Sequence, residues 1–259
     1  MTNLSIERPR PVADSLIMIG RSMRHTVRNV DSLLIGIMLP VMLMLLMTTV
    51  FGGAMELGRD HYVNFVAPGV ILLCAGYGAS LTAMSVTHDM REGIIRRFRT
   101  MNVLPSAVLI GHVVTSVVRN LVSTTLVVVS ALVIGFEPRA TALDWLAATG
   151  LVVLFVLALS WLSAVVGLIA RTVEGAASFG FFLLFLPYLS SAFVPIGTLP
   201  DWLQPVARHQ PFSPIIDLLR GLLLGTPIGD SGWMAMLWCG GILLVSGSAA
   251  ALLWRRSRD

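Results

Sequence analysis

Six apolar stretches, each close to the length needed to cross a bilayer, run through this chain with only short polar segments between them. They lie at about 32–51, 63–86, 106–135, 144–169, 176–194 and 232–254. A helix takes roughly 20 apolar residues to span about 30 Å of hydrocarbon. The fold class that follows is all-α: a polytopic membrane protein with six transmembrane helices. Hydrophobic residues make up 56% of the chain and charged residues 12%, which excludes an ordinary soluble domain. No hydrophilic stretch is long enough for a separate domain. Pro40, inside the first stretch, predicts a kink that neighbouring helices would tolerate.

The segment between the second and third stretches is the chain's most charged. Asp89, Arg91, Glu92, Arg96, Arg97 and Arg99 crowd into it. Each such charge costs about 2.5–3.5 kcal/mol at the centre of a membrane helix, so the segment belongs at a membrane face. Met90, Ile94, Phe98 and Met101 recur at helical spacing, so 88–104 reads as a short amphipathic helix. Asp89 and Glu92, three apart, offer a start resembling a capping box. A basic face of this kind suits docking to something in the cytoplasm; the plainer alternative is attraction to anionic lipid head groups.

Residues 13–30 form a second amphipathic pattern. Leu16, Ile19, Met23, Val27 and Val30 make an apolar stripe, and Arg21, Arg24 and Arg28 a basic one. Such a helix lies in the membrane surface, either as an anchor for the first span or packed as well against the 88–104 helix. Residues 1–12 read as a tail. Residues 1–15 lack the apolar core of a secretory signal, so no cleavable leader is expected. The chain thus divides into a tail and interfacial helix (1–30), a six-span domain (31–254) and a second tail (255–259).

Every one of the 18 basic residues is arginine. A P-loop needs a lysine to reach its phosphates, so this sequence holds none, and an ATP-driven protein of this kind would need a partner chain to bind nucleotide. Arginine placement also orients the chain. Thirteen arginines fall in the N-terminal region, the 88–104 segment, the 171–175 turn and the C-terminal tail; four (Arg59, Arg139, Arg208, Arg220) fall in the alternate segments. The positive-inside rule then predicts that both termini and the 88–104 segment are cytoplasmic.

Residues 195–225 are broken by Pro195, Pro200, Pro205, Pro211 and Pro214, yet rich in apolar groups. They suit a re-entrant or interfacial helical hairpin on the outer face, the alternative being a cap that only shields the bundle. Within it, Asp217 and Arg220 stand at pairing distance along a helix. Cys74 and Cys239 lie in apolar spans and read as small buried hydrophobes. The five histidines show no metal-ligand spacing. His112 and Arg119, seven apart on one face of the third span, suit either a structural role, with Arg119 paired or reaching toward the interface, or a substrate path or dimer seam. Phe181, Phe185 and Tyr188 of the fifth span suit a path for flat apolar molecules, or a surface toward lipid or a second subunit.

In these residues the chain resembles the membrane subunit of ABC-2-type transporters, particularly permeases of the daunorubicin-resistance kind. The likeness runs through the N-terminal amphipathic helix, the six spans, REGIIRRFRTMNVLPSAVLIGHVV after the second span, LIGFEP ending the third, and FVPIGTLPDWLQPVARHQPFSPIIDLLRGLL after the fifth. The resemblance implies a permease that pairs with an identical copy or a paralogue above two cytoplasmic ABC ATPase subunits. It makes 88–104 the coupling helix. Asp89, Arg91, Glu92, Arg96, Arg97 and Arg99 would then supply charges to the ATPase, Met90, Ile94 and Phe98 apolar knobs, and Gly93 close approach. It implies no cofactor in this chain, with ATP and Mg on the partner, and no nucleic-acid partner. The expected function is export of a lipophilic drug, antibiotic or lipid. The main alternative, an ion-coupled secondary transporter, would want paired acids near the membrane midplane, and a membrane-embedded transferase would want clustered metal-binding carboxylates; no span here contains two acids.

Overall fold

The computed structural model describes residues 11–52, 59–93 and 105–256, and all regular structure among them is helical. An interfacial helix α1 (Pro11–Arg28) leads into α2 (Val30–Leu46). There follow α3 (Arg59–Arg91), α4 (Pro105–Ile134), α5 (Ala142–Ile169) and α6 (Val173–Phe185). Two shorter helices, α7 (Gln204–His209) and α8 (Phe212–Leu224), precede the last helix, α9 (Ser231–Arg256). Among the described residues, α3, α4, α5 and α9 are long and apolar enough to cross a membrane. Met38–Val50 and Val173–Leu189 are shorter apolar helices.

Local chemistry explains where these helices begin and end. At the start of α5, Thr141 and Asp144 form a reciprocal capping box, so this helix starts two residues before the apolar stretch suggests. The Thr172 hydroxyl caps α6 by accepting from the Gly175 N–H. Helix α6 gives way to a tighter turn at Leu186–Leu189, where Pro187 cannot continue the α-helical ladder. Pro40 lies within α2 without ending it; the departure from α geometry comes later, in a π-helical turn at Met47–Phe51. There the Thr48 and Thr49 hydroxyls bond back to the carbonyls of Met44 and Leu45 at 2.8 and 2.7 Å.

Helix α3 is the axis of the bundle. It packs against α2, α4, α5, α6 and α8, and nearly all of its middle is buried. Close packing of this kind needs small residues at the crossings, because lipid supplies no hydrophobic drive between helices. At the α3–α5 crossing, a Cβ on Gly167 would lie 2.7 Å from the Ala83 carbonyl oxygen and 2.8 Å from Val86 Cβ. The Thr87 hydroxyl closes the same contact by donating to the Gly167 carbonyl at 3.1 Å.

The Pro-rich segment after α6 packs into the bundle. Phe212, Ile215, Ile216, Leu219 and Leu223 of α8 are fully buried and belong to the main core. Phe212 meets Phe155 of α5 edge-on at 5.1 Å. Asp217 and Arg220 pair at 2.8 Å as their spacing predicts, and Arg220 does more. Its Nη2 donates to the carbonyls of Phe65 and Ser191, and its guanidinium lies 4.2 Å from the Phe65 ring centre. One side chain thus fastens α8, α3 and the turn after α6.

Replacing Gly167 with Val should lower the melting temperature of the detergent-solubilised protein by several degrees, since overpacking costs typically about 1–3 kcal/mol. Gly150→Ala, where an added Cβ meets nothing within 4 Å, should be neutral or slightly stabilising. Equal melting temperatures for Gly167→Val and the parent would show that the α3–α5 crossing is not this tight.

Candidate functional site

Helix α1 lies across the first half of α4, and the line it buries there differs from its apolar stripe. Met18 and Ser22 face inward, while Leu16, Ile17 and Val27 are exposed on the side left for lipid. The approach is close: a Cβ on Gly111 would sit 3.0 Å from the Met18 carbonyl group. The three predicted basic residues also separate. Arg24 and Arg28 are exposed, whereas Arg21 turns inward to Asp89.

Asp89 is the centre of this end of the bundle. Arg21 donates to its two oxygens at 2.8 and 3.3 Å, and His112 Nε2 lies 3.1 Å from Oδ2. The carboxylate is buried, so the two partners from α1 and α4 replace the water it has lost. Three helices meet on one acid.

This geometry corrects the reading of 88–104. Asp89 and Glu92 do not start a helix; they sit at the C-terminal end of α3, which runs unbroken to Arg91. Gly93, at φ +69°, takes the left-handed conformation just beyond. His88 and Glu92 pair along the helix at 3.1 Å. Met90, partly buried, packs beside Val86, Leu109, Val113 and Ala164, and Asp89 is buried. Arg91 and Glu92 are exposed. Ile94, Arg96, Arg97, Phe98 and Arg99 lie outside the described residues.

Above Asp89 a line of polar groups continues between α3, α4 and α5. Thr82 and Ser160 hydroxyls each bond the Ser116 hydroxyl, at 2.8 and 2.9 Å, and Asn120 Nδ2 donates to the Ser116 carbonyl at 2.8 Å. Arg119 Nη2 donates to the Gly78 carbonyl at 2.8 Å and to the Thr82 hydroxyl at 3.2 Å. A cavity of about 390 Å³ opens beside this line, lined by Arg21, Asp89, His112, Thr115 and Arg119 among others. A smaller one of about 170 Å³, lined by Tyr77, Asn120 and Ser123 and sharing Arg119, adjoins it. His112 and Arg119 therefore do share a face, and it looks into the protein.

Phe181, Phe185 and Tyr188 point the other way. They are 71%, 63% and 45% exposed on the outside of α6 and line neither of these two cavities. The polar line through Thr82, Ser116, Asn120 and Ser160 escaped the sequence reading. Its trace was present as Thr115/Arg119 and Ser116/Asn120, polar pairs four apart within an apolar span.

Residues 15–224 match the family model described as ABC-2 type transporter. The chain is 28% identical to the daunorubicin resistance ABC transporter permease protein DrrB1 of Streptomyces coeruleorubidus, over 73% of this chain and 68% of that one. It is 26% identical to the probable doxorubicin resistance ABC transporter permease protein DrrC of Mycobacterium tuberculosis, over 95% and 90% of the two chains.

Asp89→Ala would strand the Arg21 guanidinium and remove the hydrogen-bond partner of His112, and should destabilise the protein by about 1–3 kcal/mol, below the buried-pair range because Arg21 is partly exposed. Arg24→Ala, at an exposed position on the same helix, should change stability by less than about 0.5 kcal/mol. Thermal unfolding in detergent separates them; equal effects would remove Asp89 from the centre of this contact.

Proposed function

The chain belongs to the ABC-2 type transporter family, and on that premise we propose that it is the permease subunit of an ABC exporter that moves a lipophilic compound outward across the bacterial cytoplasmic membrane. The observation that carries this reading is the family match over most of the chain, joined to relatives named as daunorubicin and doxorubicin resistance permeases. ATP and Mg would bind to a separate ATPase subunit, since this sequence has no P-loop lysine.

In this reading six segments cross the membrane: α2 with its π turn, α3, α4, α5, α6 with the turn after it, and α9. The segment from Ile196 to Leu224 forms the outer hairpin. The end of the bundle bearing Arg21, Arg91 and Arg171 faces the cytoplasm, following the excess of arginine there. Docking to the ATPase falls to the stretch from Arg91 onward, with Arg91 and Glu92 as its first exposed charges and Ile94, Arg96, Arg97, Phe98 and Arg99 beyond. Asp89 and Met90 act behind it, holding the end of α3 to α1 and α4. The exposed row of Phe181, Phe185 and Tyr188 suits contact with a second permease, identical or paralogous. Apolar cargo fits a path between two such subunits, where aromatic faces meet flat molecules.

Co-expression with the ABC ATPase encoded nearest to this chain, followed by purification in detergent, tests the reading. The parent protein should retain the ATPase, and Glu92→Arg combined with Phe98→Ala should lose most of it. Failure of the parent to hold any ATPase would overturn the reading and favour an ion-coupled transporter. Retention by the double variant equal to the parent would move the docking surface elsewhere.

A further inference from the structure

We propose that the cavity between α1, α3 and α4 binds a phosphate group, with the Arg119 guanidinium as its counter-charge. Among the described residues no carboxylate lies within ion-pair distance of Arg119. A charge inside a membrane helix is expensive unless it is paired or hydrogen-bonded. The protein meets that need in part. Arg119 Nη2 bonds the Gly78 carbonyl and the Thr82 hydroxyl, both neutral acceptors, while Nε is buried with no partner. Nη1 makes no hydrogen bond to a described residue. A guanidinium has five donors in a flat fork suited to phosphate, and most of them here remain unused.

The charge balance of the cavity points the same way. The charged and titratable groups on its wall are Arg21, His88, Asp89, His112 and Arg119. Asp89 is already engaged by Arg21 and His112, and His88 by Glu92. Arg119 alone among them has no charged partner, and with Arg21 set against Asp89 the wall is left net positive. Its remaining wall is rich in small hydroxyls: Ser22, Thr26, Thr82, Ser85 and Thr115, of which Thr115 Oγ1 is buried without a partner. At about 390 Å³ the cavity falls within the range of small-molecule sites, about 300–1,000 Å³, and holds a phosphate with the glycerol attached to it.

Location narrows the source. Helix α1 exposes Val12, Leu16, Ile17 and Val27, so it lies in the membrane surface, at the level of phospholipid head groups. Arg119 stands eight residues beyond the α1 crossing at Gly111, roughly 12 Å along α4, and side chains on a helix lean back toward its N-terminus. A head-group phosphate entering beside α1 meets Arg119 within the cavity. The alternative source is a soluble phosphate from the cytoplasm, and the two are separable.

The full chain, purified in a non-ionic detergent, would be titrated with dioctanoyl phosphatidylglycerol, with dioctanoylglycerol (the same chains without phosphate) and with inorganic phosphate, following thermal stability. Phosphatidylglycerol should stabilise saturably and dioctanoylglycerol should not. Arg119→Gln should weaken the phosphatidylglycerol effect by about tenfold or more, and Arg119→Lys should keep most of it. Inorganic phosphate acting alone at similar concentrations would assign the site to a soluble anion; inactivity of inorganic phosphate would assign it to lipid. Leu81→Trp, which fills the cavity and leaves Arg119 in place, serves if Arg119→Gln does not fold, and should show the same loss. Undiminished phosphatidylglycerol binding in either variant, or equal stabilisation by dioctanoylglycerol, would overturn the proposal. The measurement reads binding without transport or an ATPase, so its failure leaves the permease reading untouched.

Discussion

Burial of α3 on every side is the constraint from which the rest of the structure follows. A helix in the middle of a membrane bundle can satisfy its polar side chains only through its own backbone or its neighbours. Helix α3 uses both. Thr82, Ser85 and Thr87 bond back to the carbonyls of Gly78, Leu81 and Ala83 one turn earlier, and Thr82 and Thr87 also reach α4 and α5. Neighbours can come this close because small residues stand at the crossings. The helix is 33 residues long, roughly 50 Å, so its ends outrun a hydrocarbon layer of about 30 Å. Charged residues near both ends are therefore affordable, and both ends are used.

The two ends are fastened differently. At the end near α1 a buried acid on α3 is held by two bases from other helices, Arg21 and His112. At the other end the base comes from outside: Arg220 of α8 is neutralised by Asp217 on its own helix and donates to α3 only through the Phe65 carbonyl. Tyr62 reinforces that end, its hydroxyl donating to the Phe193 carbonyl. The first arrangement depends on a charge carried by α3 itself, so α3, α1 and α4 are tied by one carboxylate. The second would survive loss of any α3 side-chain charge, because α3 supplies backbone and a ring.

Four of the six membrane-length stretches were legible, those at about 63–86, 106–135, 144–169 and 232–254, because hydrocarbon thickness imposes a length that composition shows directly; those at about 32–51 and 176–194 fall on shorter apolar helices. Bounds at about 106–135, 144–169 and 232–254 lie within a few residues of α4, α5 and α9. The pairing of Asp217 with Arg220 was legible for a similar reason, being local. What was misread depended on distant partners. Asp89-x-x-Glu92 looks the same at a helix start as at a helix end, and only Arg21 and His112, 68 and 23 residues away, show which it is. The line of α1 that packs on α4, Met18 and Ser22, was not legible, because the apolar stripe of an interfacial helix faces lipid and Leu16 and Val27 stay exposed. The polar line around Ser116 lacked any charge to mark it, and serine or threonine in a span is too common to single out.

These attachments bear on how a push at the Gly93 end of α3 would travel. Helix α3 has no break in its ladder between Arg59 and Arg91, although Pro68 removes one donor near its N-terminal end. A displacement applied just past Gly93 therefore reaches a stiff rod. Through Asp89 the rod carries Arg21 of α1 and His112 of α4 with it, and the Gly167 crossing leaves no gap for α5 to lag behind. The cavity beside Arg119 lies between these same elements, so its walls would move as a group rather than collapse. Helix α6 also packs closely on α3, where Gly180 meets Ser80, but its opposite face, with Phe181 and Phe185, is exposed. If two permeases meet along that face, the motion that the rod cannot absorb internally would appear between subunits. That is where an alternating path for a bulky apolar molecule would have to open.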